Sequence, residues 1–402
     1  MSQANSKVAS IYQRRDFSLD AARAILMLLG IVFHGASAYS RAGEWVVTDP
    51  HGNPFFDLLR QALHLFRLPA FFWISGYFFA LTMGRSNSMA QLGRRLLRLV
   101  IPLIVTWITF NVAQEWLVAR FTHGTPRYPV PVGHLWFLVD LTVLTLVAAA
   151  AMHLPGFVTR WLTWPFGFRL TVPRLLLILT VYTTVIMLAV RASGVGFIPL
   201  AHMTSVARLA TYLPFFAAGI AMYHLPDVRH VFLQIPAWLM VLALPVGVVA
   251  QSFRRDHGVV AELAAPTESL MIWICIAVVL QQFYRFVRRE SWSVKLLNDS
   301  CYSIYLFHHA IMVVLVFVLL SFPLPAVAKF FVVCLVSFAA AAALHVLGVR
   351  RSPLLRLLFN GILPRRPVSS QRVPADGHVE VGPVDEGLEL PHPIRPVHAS
   401  RP

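Results

Sequence analysis

Ten stretches of roughly twenty apolar residues recur along this chain, and a helix of that length crosses the ~30 Å hydrocarbon core of a bilayer. They cover residues 18–39, 58–82, 99–119, 134–153, 174–192, 207–224, 236–252, 268–287, 302–321 and 326–348, the sixth and seventh being short. Lipid offers no partner to a backbone N–H or C=O, so runs of this kind must satisfy their own polar groups as helices. The expected fold is therefore all-α, a polytopic integral membrane protein of about ten transmembrane helices. Of the 402 residues 57% are hydrophobic and 13% charged, about half the charged share of soluble domains. No cleavable leader is expected, because the first apolar stretch is too long and many more follow it.

The net charge of +16 first suggests a nucleic-acid binder, but no basic run is interleaved with polar or stacking residues. Lysine and arginine concentrated in cytoplasmic loops give the same number. With the N-terminus inside, the inner segments hold Lys7, Arg14 and Arg15, then Arg85, Arg94, Arg95 and Arg98, then Arg160, Arg169 and Arg174. Arg285, Arg288, Arg289, Lys295 and the basic tail from Arg350 follow. Inner basic residues outnumber outer ones by roughly two to one, the sense of the positive-inside rule. Ten crossings then put both termini in the cytoplasm. The chain divides into a cytoplasmic segment 1–16, a transmembrane domain 17–360 and a proline-rich, disordered cytoplasmic tail 361–402. Cys275, Cys301 and Cys334 lie in or beside apolar runs and read as packing residues.

Ionisable residues inside spans are costly and are candidates for function. The first span, "FSLDAARAILMLLGIVFHGASAYS", carries Arg23 near one end and His34 deep inside. Eleven residues of α-helix advance roughly 16 Å and close to about 20° of three full turns, so both side chains leave on one face. The bland alternative has Arg23 snorkelling to headgroups and His34 making a structural hydrogen bond.

"LDAARAILMLLGIVFH", with its Arg-x10-His pattern, resembles the opening helix of membrane-bound acyltransferase family 3. "FRLPAFFWISGYF" (66–78), "RRLLRLVIP" (94–102), "GHLWFLVDL" and "CYSIYLFHHAI" are similar to later segments of that family, over roughly residues 16–360. "ISGYF", "TYLPFFAAGI" and "PLLRLLFNG" are similar to its glucan-succinylating branch; Ala21 stands where the wider family often has Gly. The resemblance implies an enzyme of the bacterial inner membrane. Its co-substrate would be a cytoplasmic acyl-CoA, of which succinyl-CoA is the expected one, with no permanently bound cofactor. The acceptor would be a hydroxyl of a periplasmic glucan.

Under that reading Arg23 meets the anionic donor and His34 is the general base. His64 and Arg67 open the second span, His134 the fourth and Glu268 the eighth; all are expected on the outer side, near His34. Glu268 is a partner for a histidine, or a solvated carboxylate at a helix start. Arg67 suits the distal carboxylate of a succinyl group, the alternatives being the glycan or a lipid headgroup. His308 and His309 are expected a turn or two inside the ninth span, nearer the cytoplasm, lining the donor path or bonding across helices. Positive-inside anchoring explains Arg95 and Arg98, and the family resemblance implies instead that they take CoA phosphates. No spacing sets two ligands and a carboxylate on one helix face, so no metal site is expected. The rival readings are acetyl transfer to another surface glycan, a proton-coupled anion transporter, and a structural membrane subunit. Oligomeric state is not legible.

Overall fold

The computed structural model describes residues 16–42, 45–84, 88–152, 170–195, 199–200, 203–253, 259–289 and 291–363. Lys7, Arg14, Arg15, Arg85, Arg160, Arg169 and the tail beyond residue 363 lie outside the described residues, as does most of the segment 1–16.

Each of the ten apolar stretches is helical. The elements are α1 (Phe17–Ala38), α2 (Pro54–Met83), α3 (Ser88–Thr106), α4 (Val112–Phe121), α5 (Trp136–Met152), α6 (Val172–Ala192) and α7 (Val206–His224). They continue with α8 (Pro226–Phe232), α9 (Leu239–Phe253), α10 (Val259–Phe286), α11 (Trp292–Leu320), α12 (Ala326–Leu344) and α13 (Pro353–Asn360). A π-helical turn, Trp107–Asn111, joins α3 to α4 as one span, and a 3₁₀ turn, Gly133–Leu135, opens α5. The one sheet among the described residues is a two-residue hairpin, Pro199–Leu200 against Thr204–Ser205.

Nine helices among the described residues are long and apolar enough to cross a membrane. The seventh stretch, α9, has 15 residues, about 22 Å of helix, shorter than the hydrocarbon core.

Two boundaries move far enough to matter. The ninth span begins at Trp292 rather than 302, with Ser291 capping it through Val294 N–H. The eighth begins at Val259 rather than 268. In both, polar residues depress hydropathy in the first turns although the helix continues through them. His308, His309 and Glu268 therefore sit deeper in their helices than expected.

Local chemistry explains the remaining ends. Asp16 accepts the Leu19 N–H at the start of α1 and Asn53 accepts the Phe55 N–H just before Pro54, both standard helix starts. Gly361, at φ +61°, closes α13 in the left-handed conformation.

Lipid chains are as apolar as leucine, so helices associate through close packing and small residues rather than through hydrophobic burial. α2 and α7 show this most strongly. A Cβ on Gly76 would lie 1.9 Å from the Phe216 carbonyl oxygen, and one on Gly219 would lie 2.0 Å from that of Trp73. The two backbones touch because neither position carries a side chain. Burial then ranks the helices: 78% of the α2 span window is inside the protein, and 61% of those of α1 and α10, against 22% for α6. α1, α2, α10 and α11 form the centre, and α6, α9 and α12 turn valine, leucine and phenylalanine outwards.

Candidate active site

Four imidazoles meet at the centre of the bundle. His34 of α1 lies 5.5 Å from His308 and 4.9 Å from His309, both on α11, between ring centroids. His134, from the 3₁₀ turn before α5, stacks on His309 at 4.4 Å and lies 5.7 Å from His308. Among the described residues no group of three or more His, Cys, Asp or Glu is arranged to hold a metal ion.

Neighbours fix the rings on α11. His308 Nδ1 lies 2.6 Å from the Tyr305 carbonyl oxygen; a carbonyl only accepts, so Nδ1 carries the proton. His309 Nδ1 lies 2.8 Å from Gln114 Oε1 and donates in the same way. Tyr305 in turn donates its hydroxyl to the His134 carbonyl at 2.6 Å, tying α11 to the 3₁₀ turn. Trp45, from the loop between α1 and α2, closes the cluster at 6.3 Å from His34 and 5.3 Å from His309.

Beside the cluster lies a cavity of about 180 Å³ lined by Phe33, His34, His64, Arg67, His134 and Trp136, among others. At ~30 Å³ per liquid water it has room for several waters or a short acyl group. Arg67 is 7% exposed and its Cζ sits 4.9 Å above the Phe33 ring. No acidic group pairs with it among the described residues. Burying a guanidinium without a counter-ion is costly, and the face of the Phe33 ring offsets part of that cost. Gly30 makes its place: a Cβ there would come within 2.9 Å of Arg67 Nη1.

His64, at the exposed rim, lines this cavity and also a smaller one of about 30 Å³ with Gln251, Glu268 and Ser269. Contrary to its expected place beside His34, Glu268 lines the smaller cavity with His64 and not the cavity that His34 lines. His308 and His309 also depart from expectation, lying level with His34 rather than nearer the start of α11, because that helix begins ten residues earlier.

The remaining arginines form a second group at the N-terminal end of α1. Arg23 pairs with Asp20 at 3.2 Å and sits 5.2 Å over the Phe78 ring. Arg95 donates to the Ser75 carbonyl at 2.9 Å. Arg23 is within electrostatic reach of Arg95 and Arg98, and none of the three lines the central cavity. The structure therefore assembles two sites from the candidate residues: a cationic group at one end of α1, and imidazoles with Arg67 further along. Trp45, Trp136, Gln114 and Gly30 were not legible as site residues. Tyr305 had a signal, lying three residues before His308 on one helix face.

Residues 16–346 match the acyltransferase-3 family model, whose description is an acyltransferase domain. The chain belongs to this family. Glucans biosynthesis protein C of Salmonella gallinarum (strain 287/91) is 26% identical over 391 residues, covering 89% of this chain and 97% of the relative. Proteins of the same name from Salmonella agona and Salmonella paratyphi C are 26% identical over 386 residues, with the same coverage. No solved structure matches the chain. Both groups of site residues fall inside the family match. As an acyltransferase-3 member, the protein is a multi-pass membrane acyltransferase.

Proposed function

We propose that the protein moves a succinyl group from cytoplasmic succinyl-CoA to hydroxyls of periplasmic glucans, in the bacterial inner membrane, with both termini in the cytoplasm. The observation that carries this reading is the cavity shared by His34 and the buried, acid-free Arg67. The name of the Salmonella relatives supports the acceptor class, and the distribution of basic residues supports the orientation.

The donor's phosphates meet Arg23, Arg95 and Arg98 on the cytoplasmic side, where guanidinium groups suit phosphate. The acyl end reaches inwards along α1; eleven residues separate Arg23 from His34, roughly 16 Å of helix. In the cavity the distal carboxylate pairs with Arg67. His34 takes the proton of the incoming glucan hydroxyl as its oxygen attacks the thioester carbon. The C–O bond forms, the C–S bond breaks, and the thiolate of CoA leaves with that proton. Among the described residues no serine or cysteine lines the cavity, which supports direct transfer over an acyl-protein intermediate. A membrane enzyme suits the reaction because donor and acceptor lie in different compartments.

The test is mass spectrometry of periplasmic glucans from cells lacking this gene, complemented with wild type or His34→Ala, with membrane levels of each protein checked. Wild type should restore a succinyl mass increment and the variant should not. Glucans unchanged in every strain would reject the succinyltransferase reading; an acetylated surface glycan would then be the product to seek.

A further inference from the structure

The base proposed above has two ring nitrogens, and the structure treats them differently. His34 lines the cavity, while its Nδ1 is buried with no hydrogen-bond partner. His308, on the adjoining helix, is 0% exposed. Its Nδ1–H is committed to the Tyr305 carbonyl, which leaves Nε2 as a lone-pair acceptor, and that atom too is buried with no partner. Both nitrogens of His134, whose ring is slightly farther from His308 at 5.7 Å, are buried without a partner as well. Orphaned nitrogens thus sit on neighbouring rings, His34 Nδ1 able to carry a proton and His308 Nε2 fixed as an acceptor. Each alone carries the cost of an unsatisfied buried polar atom, and pairing would remove both costs at once.

The orphaned Nε2 of His308 favours it over His309. The His34 and His308 rings are 5.5 Å apart and tilted by 37°. With each nitrogen roughly 1.2 Å from its centroid, facing nitrogens at that separation come to about 3 Å, within N–H···N range. The two atoms are unpaired as they stand, and pairing requires a rotation of His34 about χ2, a broad torsion. His309 lies nearer, at 4.9 Å, but its Nδ1–H is committed to Gln114 and its Nε2 is not among the buried atoms left without a partner.

We infer that His308 is the positioning partner of His34. Its Nε2 accepts the His34 Nδ1–H and so turns the Nε2 lone pair of His34 towards the cavity. The chain of contacts runs from the Tyr305 carbonyl through His308 and His34 to the substrate hydroxyl. It repeats the logic of a base oriented by a third group, with a neutral imidazole as the orienter. During transfer the hydroxyl proton moves to His34 Nε2, the C–O bond forms and the C–S bond breaks. The departing thiolate then takes that proton from Nε2. The Nδ1–H of His34 remains shared with His308 throughout, so the two histidines end as they began. This assignment rests on His34 being the base.

The test uses full-length protein in lipid nanodiscs with succinyl-CoA and a β-glucan oligosaccharide. Gln places its amide near the position of imidazole Nε2, whereas Asn places it near Nδ1. His308→Gln should therefore keep turnover within about 5-fold of wild type, while His308→Asn and His308→Leu should lose roughly 10- to 100-fold in kcat with little change in donor KM, less than the full general-base contribution. In protein labelled with ¹⁵N-histidine, the His34 resonance, assigned by its loss in His34→Ala, should report an Nδ1-protonated ring in wild type and His308→Gln. In His308→Asn it should shift towards the other tautomer. Equal activity of the Gln and Asn variants, or an unchanged His34 tautomer in His308→Asn, would overturn the inference while leaving His34 as the base. Wild-type turnover in His34→Ala would remove the base itself, and this inference with it.

Discussion

The imidazoles of His134 and His309 stack with their planes 8° from parallel, although one comes from a turn before α5 and the other from the middle of α11. One span holds both. Asn111, at the end of the π-helical turn, donates to the Pro131 and Val132 carbonyls at 3.2 and 2.8 Å, fixing the strand of loop that leads into His134. Gln114, one turn on, takes the Nδ1–H of His309. A π-turn shifts helical register by one residue and recurs at functional sites; here it lies beside both anchors.

Asn111→Ala should free the 130–132 loop and let His134 drift from the stack. The lost hydrogen bonds are worth ~1 kcal/mol each in stability, so the protein should still fold. Turnover should fall about 10-fold, since small misplacements in a site are costly to rate. Turnover measured beside the thermal midpoint checks the two halves of this expectation.

Gly30→Ala offers a change confined to Arg67. Alanine improves helix propensity by about 1 kcal/mol, and the atom it meets, Arg67 Nη1 at 2.9 Å, is the end of a long side chain that can move. The midpoint should hold or rise while the KM for succinyl-CoA rises several-fold. An unchanged KM would mean that the guanidinium does not need this position.

Gly76→Ala and Gly219→Ala should behave oppositely. Their new methyl groups would meet backbone oxygens at 1.9 and 2.0 Å, and backbone cannot swing aside. α2 and α7 must separate, at a cost of at least ~3 kcal/mol, the upper end for overpacking. Neither variant should accumulate in membranes at wild-type level.

Asp49 and Lys329 form an ion pair at 2.7 Å, with each residue 4% exposed, and it pins the loop that carries Trp45 over His34. Burial alone would raise the Asp49 carboxyl, but its hydrogen bonds to Lys329 and the His51 N–H outweigh burial and hold it below the ordinary value. A carboxyl depressed in the folded state stabilises above its unfolded pKa of about 3.9. That contribution is lost as pH falls through the lower folded value. The pair's contribution should therefore be flat from about pH 5 to 8 and fade below ~4. Asp49→Asn strands a buried ammonium and should cost roughly 3–5 kcal/mol near neutrality, while Asp49→Leu with Lys329→Met should recover most of it. Thermal midpoints of wild type and Asp49→Asn should converge only in acid.

The sequence showed the membrane class and the helices because twenty-residue apolar runs have few other structures available to them. It showed Arg23 and His34 because ionisable groups stand out in such runs. It misplaced His308, His309 and Glu268 for one shared reason: hydropathy finds the lipid-facing part of a helix, not its hydrogen-bonded ends. The polar openings of α10 and α11 were left out, and every depth counted from them was wrong by two to three turns. Trp45, in a loop between spans, and Gly30, in an apolar run full of small residues, carried no signal in sequence; only three-dimensional proximity reveals them.

The central claim is that His34 and Arg67 act on one acyl group in one cavity. The most direct measurement is a competition in which purified protein receives equimolar succinyl-CoA and acetyl-CoA with a glucan acceptor, and the products are weighed. Wild type should transfer succinyl almost exclusively. Arg67→Ala should lose succinyl transfer by about 100-fold or more, the scale of a buried charge pair truncated on one side, with any residual transfer shifted towards acetyl. An Arg67→Ala protein that still prefers succinyl would contradict the account, since the guanidinium buried at the cavity would then have no part in choosing the acyl group.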